Sequence, residues 1–145
     1  MNIATLRRLK DEWQHRLGLG GWTIDIRFTS DTREVDDGCA TVEYATSTRD
    51  AEIILLRHKF RSNKQLLLRR DYEVDLVHEL THLWLGRFET VKAGSERWVR
   101  QEQFIESNAR ALVGLKREAE KARKALESSQ NRQGGPEQPG GSVGC

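Results

Sequence analysis

His78-Glu79-Leu80-Thr81-His82 is the stretch of this chain whose residue types and spacing can do chemistry. Histidines at i and i+4 of a helix project from one face about a turn apart, so both imidazoles can reach a single metal ion. The glutamate after the first histidine stands beside such an ion rather than on it. There it can take a proton from an attacking water and return it to a leaving group. The pattern carries that meaning only when it lies on a helix.

The flanking residues meet that condition. Placed at about 100° per residue, Val74, Leu76, Val77, Leu80, Leu83, Trp84 and Leu85 occupy most of the circumference between Asp71 and Arg87. Asp71, Asp75, His78, Glu79 and His82 form the remaining stripe. A helix that is apolar nearly all round is buried. Ionisable groups gathered on its one polar stripe are costly there unless something coordinates them, and a metal ion in a cleft does so.

A hydrolytic zinc site takes three protein ligands and keeps one position open. The other two histidines, His15 and His58, both precede the motif. A downstream carboxylate is therefore the expected third ligand, from Glu89, Glu96, Glu102 or Glu106. Glu89 falls among turn-forming residues, and Glu96 opens a helix, where an acidic residue offsets the helix dipole. On that second helix Trp98, Ile105, Ala109, Leu112 and Val113 mark the inward face. Glu102 lies near the centre of the face and Glu106 towards its edge. The reading takes Glu102 as the ligand. Glu106 is then the alternative ligand, or the acceptor that orients a ligand histidine through its other ring N–H.

The rest of the chain must position these groups. Ile3, Leu6, Leu9, Trp13 and Leu17 recur at helical spacing, and Gly18, Gly20 and Gly21 end that helix. Trp22–Phe28 alternates apolar and polar residues as a half-buried strand does. Thr29–Asp37 reads as a loop, Cys39–Thr46 as a second strand and Ala51–Leu56 as a third, with Ser47–Asp50 short enough for a hairpin. Arg57–Arg70 is a basic connection with a helical turn expected at Gln65–Leu68. Asp71 caps a helix running to about Arg87, and a second long helix runs from Ser95-Glu96 to about Glu127, its end mostly charged from about Lys116. Residues 1–127 thus form one α+β domain, with a Gly/Pro-rich tail at 128–145 expected to be disordered.

The chain at this point resembles gluzincin-type zinc metallopeptidases, in which a His-Glu-x-x-His helix is followed by a helix that donates glutamate. Glu102-Gln-Phe-Ile-Glu106 matches the family pattern of a ligand glutamate followed four residues on by an acidic residue, with Glu where Asp is more usual. The likeness is closest to the minigluzincins and to compact metallopeptidase-like proteins of phage and prophage genomes, and more distantly to the ImmA/IrrE and SprT-like groups. It covers about Trp22 to Leu115 as architecture, and His78–His82 with Glu102–Glu106 as motifs. It implies a zincin-like fold, Zn²⁺ on His78, His82 and Glu102, Glu79 as general base, and a peptide or protein substrate. It further implies that an extended substrate pairs with the edge strand before the metal helix, here Ala51–Leu56. The SprT-like third histidine is absent.

Composition narrows the remaining classes. Twenty-four basic against 22 acidic residues leave a net charge of +2, which gives no reason to expect nucleic acid or an anionic membrane. The basic connection at 57–70 reads as a solvated loop. Two cysteines suit a reducing compartment, and Cys39 reads as structural. No apolar run approaches the roughly 18 residues that span a bilayer, so a cytoplasmic location is the expectation. Trp13, Trp22, Trp84 and Trp98 read as core residues. Tyr44, Tyr72 and Arg97 are the candidate donors to an oxyanion. Two other classes compete with the hydrolase: a metal-stabilised module that binds a peptide without cutting it, and a nucleic-acid-associated factor.

Overall fold

The computed structural model describes residues 1–35, 38–57, 71–86 and 91–133, with side chains to residue 130. Its class is α+β. Helix α1 (Ile3–Arg16) starts where the Asn2 side chain accepts the Thr5 N–H at 2.8 Å. It stops at Gly18, whose φ of 66° lies in the left-handed region that glycine enters without penalty. Strands β1 (Thr23–Thr29), β2 (Ala40–Ala45) and β3 (Asp50–Leu56) follow, then α2 (Tyr72–Leu85) and α3 (Glu96–Gln133).

The strands lie in the order β1-β3-β2. β2 and β3 form the expected antiparallel hairpin, with Ala45 opposite Asp50. β3 also pairs with β1 in parallel, Ile26 opposite Ile53. Ala51–Leu56 is therefore the central strand, not the edge that the family likeness assigned to it. Its apolar run gives the physical reason. Ile53 and Leu55 face the main core while Ile54 and Leu56 face the other side with Val35, so both faces of the strand are buried. Among the described residues the edge strands are β1 and β2, and the residues of β2 are half-buried or exposed.

Val35 reaches Ile54 and Leu56 because Thr32–Val35, in the expected loop, winds into a 3-10 turn. Thr29 Oγ1 accepts the Asp31 N–H and Asp31 accepts the Arg33 N–H, both at 3.0 Å, and these local bonds hold the turn. On the main face, Leu6, Leu9 and Trp13 of α1 share one cluster with Leu76, Val77, Leu80 and Leu83 of α2. Trp13 donates its indole N–H to Glu73 Oε1 at 2.9 Å, a buried bond that ties α1 to the first turn of α2.

Trp13 and Trp22 are core residues as expected, at 3% and 6% exposure, but Trp84 and Trp98 are 42% and 36% exposed. The apolar surface of α2 and α3 is wider than the neighbours that cover it, so both indoles lie at its margin. The chain divides into two compact units, Met1–Val113 and Gly114–Cys145. The boundary falls inside α3, just before the charged segment. In the second unit the helix is exposed from Arg117 to Gln130 and carries ion pairs at helical spacing, such as Lys121–Glu118 at 2.8 Å. It continues past Glu127 to Gln133, so Ser128–Gln133 are helical rather than part of a disordered tail. Ser128 and Ser129 donate their hydroxyls to the carbonyls of Lys124 and Ala125, which satisfies them within the helix. Residues 134–145, and the basic segment 58–70 with its expected helical turn, lie outside the described residues.

Candidate metal centre

α2 is fixed at its start by Asp71, whose carboxylate accepts the Val74 N–H at 2.9 Å. Every residue from Tyr72 to Thr81 is buried. His78 and His82 therefore leave a capped and buried helix, and their Nε2 atoms stand 3.1 Å apart. α3 brings Glu102 to the same point. One carboxylate oxygen lies 3.2 Å from His78 Nε2, and the other lies 3.4 Å from His82 Nε2.

These separations test whether a metal fits. Zinc bonds of about 2.0–2.1 Å to nitrogen and oxygen put tetrahedral donor atoms about 3.3–3.4 Å apart. The 3.1 Å Nε2–Nε2 contact and the 3.2 Å contact from His78 Nε2 to one carboxylate oxygen are close to two edges of such a tetrahedron, and the carboxylate reaches His82 through its other oxygen at 3.4 Å. Two imidazoles and a carboxylate also suit a borderline ion that keeps a fourth position open. His78, His82 and Glu102 form the one group among the described residues that could hold a metal ion.

Glu106, one turn beyond Glu102, meets His78 from behind: its Oε2 lies 3.2 Å from Nδ1, while its Oε1 accepts a bond from Arg110 Nε at 2.7 Å. A carboxylate accepting from Nδ1–H leaves Nε2 with its lone pair towards the ion. Of the other carboxylates considered, Glu96 is exposed and paired with Arg100, and Glu89 lies outside the described residues. Of the other histidines, His15 is exposed and His58 lies outside.

Electrostatics sort these groups into roles. Burial alone would lower the pKa of His78, but its hydrogen bonds to Glu102 and Glu106 outweigh that and raise it to about 9. Burial would likewise raise Glu102, yet bonds from His78 and His82 hold it down at about 2. Glu79 is pushed up from the ordinary carboxylate range, chiefly by burial, with the two histidines opposing. A raised histidine pKa gives stability that is complete below about 6.5 and is lost as pH rises through about 9. A zinc-loaded His78 cannot hold that proton. The melting temperatures of zinc-loaded and metal-free protein should therefore diverge from pH 6.5 to 9, the metal-free form falling. Calorimetry with and without chelator measures the gap, and parallel curves would disprove the assignment.

The metal residues open into a cleft of about 360 Å³, bounded by β2 on one side and by Trp98 of α3 on the other. Of the three candidate oxyanion donors only Tyr44 is among the residues lining it. Tyr72 is buried edge-on against Phe28, with ring centres 4.9 Å apart, and Arg97 is exposed on the first turn of α3. Trp98 and the edge of β2 are the site components that sequence reasoning missed. A readable sign existed for Trp98, which precedes Glu102 by one turn and so shares its face. Cys39, expected to be structural, is buried in the wall of the same cleft. No helix among the described residues is long and apolar enough to cross a membrane. No family model, curated protein or solved structure matches the chain.

Proposed function

We propose that this protein is a zinc-dependent metallopeptidase that hydrolyses peptide bonds, its metal held by His78, His82 and Glu102. The observation that carries the reading is the convergence of His78, His82 and Glu102 on one point, with the buried carboxylate of Glu79 in the same cleft. Zn²⁺ in such a site lowers the pKa of a coordinated water to about 7 and polarises a carbonyl oxygen.

The chain's own residues supply the rest. Glu79 takes the proton of the attacking water and gives it to the departing amine, a double task eased by the upward shift that burial imposes. Glu106 holds His78 in the tautomer that ligates. Tyr44 is assigned the hydrogen bond to the carbonyl oxygen as charge develops there. An extended substrate adds to the free edge of β2, its backbone groups pairing beside the metal. A metal module that only bound peptide would have no use for a carboxylate buried next to the ion.

Removal and return of metal tests the reading. Hydrolysis of an unstructured protein such as casein should vanish after exhaustive chelation and return with one equivalent of Zn²⁺. Hydrolysis unaffected by chelation would rule the proposal out.

A further inference from the structure

A second cavity, of about 500 Å³, lies beyond the metal cleft and has no part in the chemistry above. Gly18, Gly21 and Trp22 form one side, Thr46 and Arg49 of the β2–β3 turn another, and Gly86 at the end of α2 the third. Among the described residues its wall offers donors and carries no acidic side chain. Neither the Arg49 guanidinium nor the Thr46 hydroxyl has a hydrogen-bond or ion-pair partner among the described residues. Trp22 is 6% exposed, and its indole N–H is buried without a partner.

Arg49 is an exposed residue on a held backbone. Its backbone takes a φ of 59°, rare for a side chain of that size, pinned by Arg49 N–H to Ala45 O and Thr23 N–H to Arg49 O, both at 2.9 Å. Its guanidinium lies against Gly21, where an added Cβ would stand 2.9 Å from Nη1. A planar cation that lines a cavity, with no acid beside it among the described residues, matches a carboxylate, which it can bind through two parallel hydrogen bonds.

The cavity also continues the path of the proposed substrate. Tyr44 lines the metal cleft, its ring meets Trp22 edge-on at 6.0 Å, and its hydroxyl sits over Gly86. Thr46 is two residues further along the strand direction, about 7 Å. We propose that this cavity is a specificity site for a substrate carboxylate, an acidic side chain or a free C-terminus, about two to four residues from the bond that is cut. The identity of the ligand rests on the metallopeptidase reading.

The test uses the full, zinc-loaded chain carrying Glu79→Gln, so that bound peptides stay intact. Fluorescent decapeptides carry one Glu, or Gln as its control, at successive positions, each with a free or amidated C-terminus. A Glu at one position, or the free terminus, should bind about tenfold or more tighter than its neutral counterpart. Arg49→Ala should abolish that preference and Arg49→Lys should keep part of it. Gly21→Ala, whose new methyl displaces the guanidinium without removing its charge, should weaken it. Equal binding of acidic and neutral peptides, or a preference that survives Arg49→Ala, overturns the proposal. So does an Arg49→Ala variant that loses thermal stability alone, because the arginine would then merely offset the negative ends of α1 and α2. Peptides bound with the acidic preference but never cut by the wild-type protein would sink the hydrolase reading and leave this site standing.

Discussion

Glu79→Gln should lower kcat on any cleaved peptide by about 10²–10⁴-fold, the usual contribution of a positioned general base, while zinc stays bound. That loss corresponds to about 3–5 kcal/mol of transition-state stabilisation. The substitution keeps the volume of a side chain that is only 7% exposed, so packing is preserved. It removes a carboxylate that acts on His78 and His82 through space and makes no hydrogen bond to either. His78, His82 and Glu102 are unchanged, so a zinc titration should read one ion per chain in both proteins. Steady-state kinetics with metal analysis of the same samples separates the two effects. A variant that kept full activity would remove Glu79 from the mechanism, and one that lost zinc would move it into the ligand set.

Glu102→Ala should be the most damaging single change to metal binding outside the two histidines. It deletes the donor that spans both Nε2 atoms at 3.2 and 3.4 Å. It also strands a histidine pair whose proton was held by that carboxylate. Glu106→Ala, by contrast, deletes an acceptor on the far side of the His78 ring. Loss of such an outer partner typically weakens metal affinity about 10–100-fold. The expected order in a competition titration against a chromophoric chelator is wild type tightest, Glu106→Ala next and Glu102→Ala weakest. The reverse order of the two variants would make Glu106 the ligand.

The ranking of these two glutamates shows where sequence reasoning runs thin. They are one helical turn apart and share a face of α3, so periodicity admits both. Which of them meets Nε2 and which meets Nδ1 depends on the axial offset of α3 against α2, set by the packing of Ile105, Ala109 and Val113. The tryptophans tell a similar story. Trp84 and Trp98 sit on apolar faces like Trp13 and Trp22, but a face is covered only where another element reaches it. The strand order is harder still. β1 and β3 pair in parallel across the intervening β2, a long-range contact that no local pattern encodes, although the unbroken apolar run of β3 hinted at burial on both faces.

By itself the sequence determined that His78 and His82 share a helical face and that Glu79 stands beside them. Four-residue spacing on a buried helix is local geometry, and every neighbour from Asp71 to Leu85 agreed with it. The same local logic set the limits of α1 and the β2–β3 hairpin. Only the tertiary structure decided that Glu102 closes the donor triangle while Glu106 stands behind His78. It also decided that β2, not β3, is an edge strand among the described residues and lines the cleft, and that Arg49 lines a cavity with no acid among those residues. Each of these is a relation between elements distant in the chain. Such relations follow from how the faces of helices and strands pack against one another, not from the order of residues along any one of them.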